Sequence, residues 1–233
     1  MRPRRYLVIG AAGHGQEVGW SLKEQARAAG ESCDLLFFDD RVTRGPLPSG
    51  LGDVAGDVDA AQNYLADDAQ LVLGIGLPRT KAMIVARLSG LGARWTTVIH
   101  PKAIVGPNVR VGEGSYIAAG AILTVNVSIG RFTTVNMHCQ VAHDGVLEEF
   151  VTLHPDAHLA GCVRIGAGAE VGTGAIVIPG VTVGRETVLG AGCVAIKNLP
   201  GSGTYVGVPA RTVSDSMSTR DETEPVPINR HVR

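Results

Sequence analysis

Ile99-His100-Pro101-Lys102-Ala103-Ile104-Val105-Gly106-Pro107-Asn108-Val109-Arg110-Val111 opens a stretch, running to Pro200, in which an aliphatic residue returns at every sixth position without insertion. The series reads Ile99, Val105, Val111, Ile117, Leu123, Ile129, Val135, Val141, Leu147, Leu153, Leu159, Ile165, Val171, Val177, Val183, Leu189 and Ala195, seventeen hexads of which sixteen carry Ile, Val or Leu. Four residues after each, the residue is mostly small, as at Ala103, Ser115, Ala121, Thr133, Cys139, Gly145, Ala157, Ala169, Ala175, Thr187 and Cys193. One aliphatic and one small inward position per six residues suit a narrow prism with flat faces of short parallel strands, because two large side chains would not fit a corner. Glycine after the aliphatic residue, at Gly106, Gly112, Gly130, Gly166, Gly172, Gly184 and Gly190, is expected to supply the backbone freedom of a repeated corner. Three hexads make one coil, so residues eighteen apart should stack at the inter-strand spacing of about 4.8 Å. A repeat this regular is also compatible with a structural rod that performs no chemistry.

The chain has 233 residues, and the repeat leaves about a hundred for a second unit. Aromatics are 4% and hydrophobics 45%, which suits a core of stacked aliphatic residues. A net charge of −1 with scattered Lys and Arg gives no electrostatic reason for a nucleic-acid or anionic-membrane partner. Cys33, Cys139, Cys162 and Cys193 have neither close pairing nor metal-like spacing, so free thiols and a cytoplasmic location are expected. The apolar run after the basic opening is too short for a secretion signal. No stretch is long enough to span a bilayer.

Before the repeat, Tyr6 to Ile9 is an apolar run leading into Gly10-Ala11-Ala12-Gly13-His14-Gly15 and then a segment, Gln16 to Ala29, of helical composition. A strand, a glycine turn and a helix start together present free N–H groups and the positive end of a dipole, which favours a phosphate or another anion. Such turns are also common without a ligand. Leu35 to Phe38 is a second strand ending in Asp39-Asp40, where a nucleotide fold keeps an acidic residue and where a solvated turn would serve equally. Gly45 to Asp59 reads as loop, Gln70 to Gly74 as a third strand running into Gly74-Ile75-Gly76, and Thr80 to Gly90 as a second helix. The unit is too short for a full dinucleotide fold and fits a mononucleotide half. After the repeat, Gly201 to Arg211 reads as a compact loop, and the polar residues 212–233 as a disordered tail.

Outward positions of a prism serve solubility, so outward histidines are the candidates for chemistry. His138, His143, His154 and His158 cluster, with Asn136, Asp144 and Asp156 nearby. The eighteen-residue spacing stacks Asn136 with His154, His138 with Asp156, Gln140 with His158, and His143 with Gly161. Glycine beside His143 leaves room for an acceptor. Asp144, which also reads as half of an Asp-Gly turn, could hold the imidazole in one tautomer. Attack of an amine or hydroxyl on a thioester requires removal of the nucleophile's proton, a task suited to imidazole. His138 and His143 also have the H-x4-H spacing of γ-class carbonic anhydrases. The third histidine is missing there: Gly120 and Lys102 occupy the stacked positions, and His100 lies two residues off.

The motifs Val8-Ile9-Gly10-Ala11-Ala12-Gly13-His14-Gly15, Phe38-Asp39-Asp40, Gly74-Ile75-Gly76, Ile99-His100-Pro101, Val141-Ala142-His143-Asp144, His158-Leu159-Ala160-Gly161 and Gly207-Val208-Pro209-Ala210-Arg211 resemble, in order and spacing, the hexapeptide-repeat sugar O/N-acetyltransferases of bacterial surface-glycan pathways. That family includes the UDP-4-amino-sugar N-acetyltransferase of bacillosamine synthesis and relatives named after sialic acid O-acetylation. The resemblance implies an α/β fold class, with an amino-terminal Rossmann-like half domain over 1–98 that binds a nucleotide sugar. It implies a left-handed parallel β-helix acyltransferase domain over 99–211, a hand opposite to the usual crossover. Ala12, Gly13 and His14 would hold the phosphates, Asp39 and Asp40 the uracil end, with Gly76 beside them. His143 would be the general base and Asp144 its polarising partner. Acetyl-CoA would lie between subunits of a homotrimer, passing Thr152, Gly161, Thr173 and Ala191, with no metal. Two departures stand out: Thr152 where relatives carry a histidine touching the acetyl carbonyl, with His154 two positions on, and Leu77 where relatives often have Asn. The activity implied is acetyl-CoA-dependent N-acetylation of a nucleotide-linked amino sugar. The alternatives are O-acylation or another small acceptor, a metal lyase of the carbonic anhydrase type, and a scaffold that has lost the chemistry.

Overall fold

A computed structural model describes residues 4–65, 69–92 and 94–213; the expected tail lies, from 214 onward, outside the described residues. The chain begins with β1 (Arg4–Ile9), α1 (Gly13–Ala28), β2 (Cys33–Phe38), β3 (Gly45–Pro46), β4 (Asp53–Gly56), β5 (Gln70–Leu73), α2 (Pro78–Leu88) and β6 (Arg94–Trp95). These strands form one sheet in the order β3-β4-β2-β1-β5-β6, parallel throughout except for the β3–β4 pair. The central strand is apolar without alternation because both of its faces are covered. Tyr6 and Val8 pack with Val18 and Leu22 of α1, whereas Leu7 and Ile9 pack with Ile84 and Leu88 of α2. The stretch 45–59, read as loop, holds β3 and β4. Val54 buries against the sheet, and Pro46 is tolerated because β3 is an edge strand.

From Val98 the chain winds into a parallel β-helix of two-residue strands in three sheets. Register repeats at eighteen residues: Tyr116 pairs with Thr134, Thr134 with Thr152, Gln140 with His158, and Val146 with Arg164. The inward series is buried from Ile117 to Ala195, with Cys139, Ala157, Ala169, Ala175 and Cys193 filling the small positions at 0% exposure. Val105, in the first coil with no coil beneath it, is 43% exposed. Gly201 to Arg211, read as loop, carries a strand (Thr204–Val206) that pairs with Val188–Leu189 and extends the first sheet. Among the described residues no helix is long and apolar enough to cross a membrane.

Two expectations about the prism need correction. The glycines after the aliphatic residues are not the left-handed ones. That conformation recurs every six residues from Asn108 to Gly192, and Asn126, Phe132, His138, Asp144, Phe150, Asp156 and Cys162 adopt it as well as glycine. Gly112, Gly166, Gly172 and Gly184 are instead sites of close approach, where a Cβ would meet backbone of the next coil at 2.5–2.6 Å. Nor are all outward positions solvated. Val98, Tyr116, Thr134 and Thr152, on the outside of the first sheet, are at most 4% exposed, because the amino-terminal unit lies on them. Ser21 bonds the Tyr116 hydroxyl at 2.9 Å, Gln25 accepts from the Ile99 amide at 2.6 Å, and Trp95 meets Phe132 edge-on.

Candidate active site

The turn after β1 is closed by its own chemistry. Gly10 has φ 107°, and a Cβ there would meet the Gly74 carbonyl at 2.6 Å. Asp39 receives the Ala11 amide on Oδ2 at 2.8 Å and the Arg41 and Val42 amides on Oδ1 at 2.8 and 3.2 Å. Ala12 caps α1 without a side-chain partner, and Ala12 and Gly13 are exposed at a helix start whose first N–H groups face outward. Asp40 accepts from the Val58 amide at 3.0 Å and pairs with Arg87 at 2.7 Å, which also holds Asp59. The Arg87 hydrogen bond, followed by that of Val58, keeps the Asp40 carboxyl below its ordinary range.

His14, Gly76 and Thr152 meet in one hollow of about 370 Å³ between the amino-terminal unit and the prism, together with Glu17, Leu77, Asn136 and His154. Thr152 donates its hydroxyl to the Gly76 carbonyl at 2.6 Å, which fixes that loop on the prism and commits the only proton the hydroxyl has. His154 Nε2 lies 2.6 Å from Glu170 Oε1. Beneath them Lys81 of α2, 0% exposed, donates to the Val151 carbonyl at 2.9 Å and to Thr134 Oγ1 at 3.3 Å. Burial lowers its pKa to about 7 against a smaller opposing pull from Glu170.

His143 stands at another corner of the triangle, where the second sheet turns into the third. Its Nδ1 is 2.8 Å from Asp144 Oδ2, both side chains are more than half or half exposed (58% and 50%), and Asn126 donates to Asp144 Oδ1 at 3.1 Å. The His143 contact, and then Asn126, hold the Asp144 carboxyl below its ordinary range, so it is an anion at neutral pH. A Cβ on Gly161 would land on the His143 ring, which is why that position is glycine. Gly161 shares this corner. Thr173 and Ala191, stacked by the Gly192 amide on the Thr173 carbonyl at 2.8 Å, lie at the corner between the first and second sheets and are exposed. One chain therefore divides the site residues: His14, Gly76 and Thr152 in the hollow, Asp39 and Asp40 at the end of β2, His143, Asp144 and Gly161 on one edge, and Thr173 and Ala191 on another. His138 faces Asp156 at 3.6 Å, and His100 is buried beneath Trp20, ring centroids 4.9 Å apart, so neither shares a site with His143.

Sequence reasoning missed Glu170, Cys162 and Lys81. The eighteen-residue spacing could have found the first two, since Glu170 pairs with Thr152 and Cys162 follows Asp144 by one coil. Nothing in the sequence marks Lys81, whose burial comes from docking of α2 on the prism.

No protein-family model matches the chain. The GDP-perosamine N-acetyltransferase of Escherichia coli O157:H7 is 28% identical over 220 residues, 92% of this chain and 98% of that one. Among solved structures, the acetyltransferase domain of PglB from Neisseria gonorrhoeae in complex with acetyl coenzyme A is 33% identical, covering 91% of this chain and 100% of its own, with a TM-score of 0.82. PerB from Caulobacter crescentus, in complex with CoA and GDP-perosamine, is 34% identical over 92% of this chain and 99% of its own, with a TM-score of 0.79. Identity of a third over nine-tenths of the chain and nearly the whole of each relative means that the protein belongs to the hexapeptide-repeat sugar acetyltransferases.

Proposed function

We propose that the protein transfers the acetyl group of acetyl-CoA to the amino group of a nucleotide-linked amino sugar, with His143 as general base. The observation that carries this reading is the likeness to PerB, which was solved in complex with CoA and GDP-perosamine and is 34% identical over 92% of the chain. In this reading residues 1–98 are a Rossmann-like unit that receives the nucleotide sugar, its phosphates at Ala12, Gly13 and His14 and its base toward Asp39 and Asp40. Residues 99–211 are a left-handed β-helix that presents the thioester. The His143 imidazole removes the proton of the attacking amine as the C–N bond forms, the tetrahedral carbon collapses with cleavage of the C–S bond, and the imidazolium returns the proton to the sulfur so that CoA leaves as the thiol. Asp144, anionic and bonded to Nδ1, holds the ring with Nε2 free to accept that proton.

The separation of the site residues on one chain supports a homotrimer. A groove that uses His143 and Gly161 from one edge and Thr173, Ala191 and the hollow from another is complete when neighbouring protomers face each other. Apolar side chains left on the prism surface, Ile104 at 60% and Ile176 at 42% exposure among them, suit such contacts. The test is to incubate the protein with acetyl-CoA and GDP-perosamine or a UDP-linked 4-amino sugar. The expected result is release of CoA thiol with a product one acetyl group heavier and resistant to hydroxylamine, as an amide is. A hydroxylamine-labile product would assign O-acylation, and failure to bind CoA would overturn the transferase reading.

A further inference from the structure

We propose that His143, Asp144 and Cys162 form a binding site for one divalent transition-metal ion of the zinc type, and that its occupancy switches the transferase off. The inhibitory part rests on the reading of His143 as base, whereas the site itself rests on geometry. One ligand atom from each of the three side chains lies within 4.8 Å of the other two. Imidazole nitrogen, carboxylate oxygen and thiolate sulfur are the donors zinc takes, and three protein ligands leave a fourth position for water or another thiol. The donors are held by the backbone of two successive coils. Asp144 and Cys162 occupy equivalent corner positions with φ of 61° and 60°, the Cys162 amide donates to the His143 carbonyl at 2.9 Å, and the Asp144 amide donates to the Val125 carbonyl at 3.1 Å. Asn126 binds Asp144 Oδ1, which leaves Oδ2 on the His143 side.

Cys162 has no part in the proposed acetyl transfer, and it differs from the other prism thiols. Cys139 and Cys193 are buried, whereas Cys162 is exposed beside His143. On binding, the thiol gives its proton to solvent and coordinates as thiolate. A coordinated neutral imidazole has one nitrogen on the metal and a proton on the other. It then has no lone pair with which to take the amine proton, so transfer stops until the ion is removed.

The experiment uses full-length, tag-free protein titrated with Co²⁺ and with Zn²⁺. The wild type should take up one ion per chain, release protons, and show a thiolate-to-cobalt charge-transfer band. Zn²⁺ should inhibit loss of the thioester in the acetyl-transfer assay, reversibly with a chelator. Cys162→Ser should keep its basal rate, lose the band, and need a Zn²⁺ concentration higher by about 10–100-fold or more for the same inhibition, since loss of a ligand costs at least as much as loss of an outer-shell partner. Cys33→Ser should behave as wild type. Equal zinc sensitivity in wild type and Cys162→Ser overturns the proposal, as does full activity with one zinc bound. A wild type that binds Co²⁺ through Cys162 but transfers no acetyl group would keep the metal site and remove the transferase reading.

Discussion

At Gly161 the absence of a side chain keeps a place open for an imidazole. The His143 ring occupies the space a Cβ would need, and because it is 58% exposed it can swing away instead of breaking the coil. Gly161→Ala is therefore expected to fold as the wild type does, by circular dichroism and thermal melt, while its acetyl-transfer rate falls. A variant with unchanged rate would mean that the ring's position does not matter. Asp144→Asn should cost less than the roughly 10²–10⁴-fold expected for loss of the base itself, and adding it to His143→Ala should cost nothing further, because an orienting group has no role once the ring it orients is gone. Rates that multiply in the double variant would give Asp144 a separate role. The stacking of His143 on Gly161 was legible in the sequence because the eighteen-residue spacing is a backbone property, but the room expected there for an acceptor is taken by the His143 ring itself. Thr152 was legible as a departure, but its hydroxyl bond to the Gly76 carbonyl was not, since that partner is 76 residues away on another unit.

At the scale of a coil, each hexad adds one inward aliphatic side chain to a column in which each interior residue lies between the coils on either side, so stability accrues coil by coil. Leu153 and Val105 hold equivalent places in the sequence repeat, yet Leu153 is 0% and Val105 43% exposed. Leu153→Ala should lower unfolding free energy by about 2–5 kcal/mol, whereas Val105→Ala should cost well under half of that. Chemical denaturation of the two variants checks this, and equal losses would contradict the placement of the first coil at the end of the column. The repeat revealed which residues point inward, but not which coil caps the stack. It also suggested the wrong reason for the recurring glycines, corner flexibility, although none of Gly106, Gly112, Gly166, Gly172 and Gly184 has a positive φ. Their function is to let coils approach, a constraint visible only when the next coil is in place, whereas the left-handed corner is accepted here by Phe132, His138 and Phe150.

At the scale of the molecule, the amino-terminal unit is fastened to the prism through polar side chains that the sequence offered as ordinary surface. Lys81, fully buried, is one of them. Its pKa is about 7 in the folded chain against an ordinary value of 10.5, chiefly through burial, so between those two pH values the unfolded chain binds a proton that the folded chain lacks. Stability should therefore rise with pH across that window, by up to about 1.4 kcal/mol per pH unit, and level off below pH 7 where both states carry the proton. Lys81→Met should abolish that slope. Urea midpoints at several pH values, compared between wild type and variant, decide it, and parallel curves would contradict the burial of a titrating amine. A helix pattern marks the apolar face of α2, but a lysine directed into a second domain has the same letter as one directed into water.

The division of the site residues between two edges of one prism makes shared sites between protomers the central claim, and mixing two defective chains tests it most directly. His143→Ala removes the proposed base, and Gly76→Phe fills the hollow against His14; each alone should be inactive. Co-expressed in equal amounts, they should recover roughly a quarter of the wild-type acetyl-transfer rate, the share of interfaces in a closed ring at which an intact His143 meets an intact hollow. No recovery from assemblies shown to contain both chains would contradict a site built from two protomers.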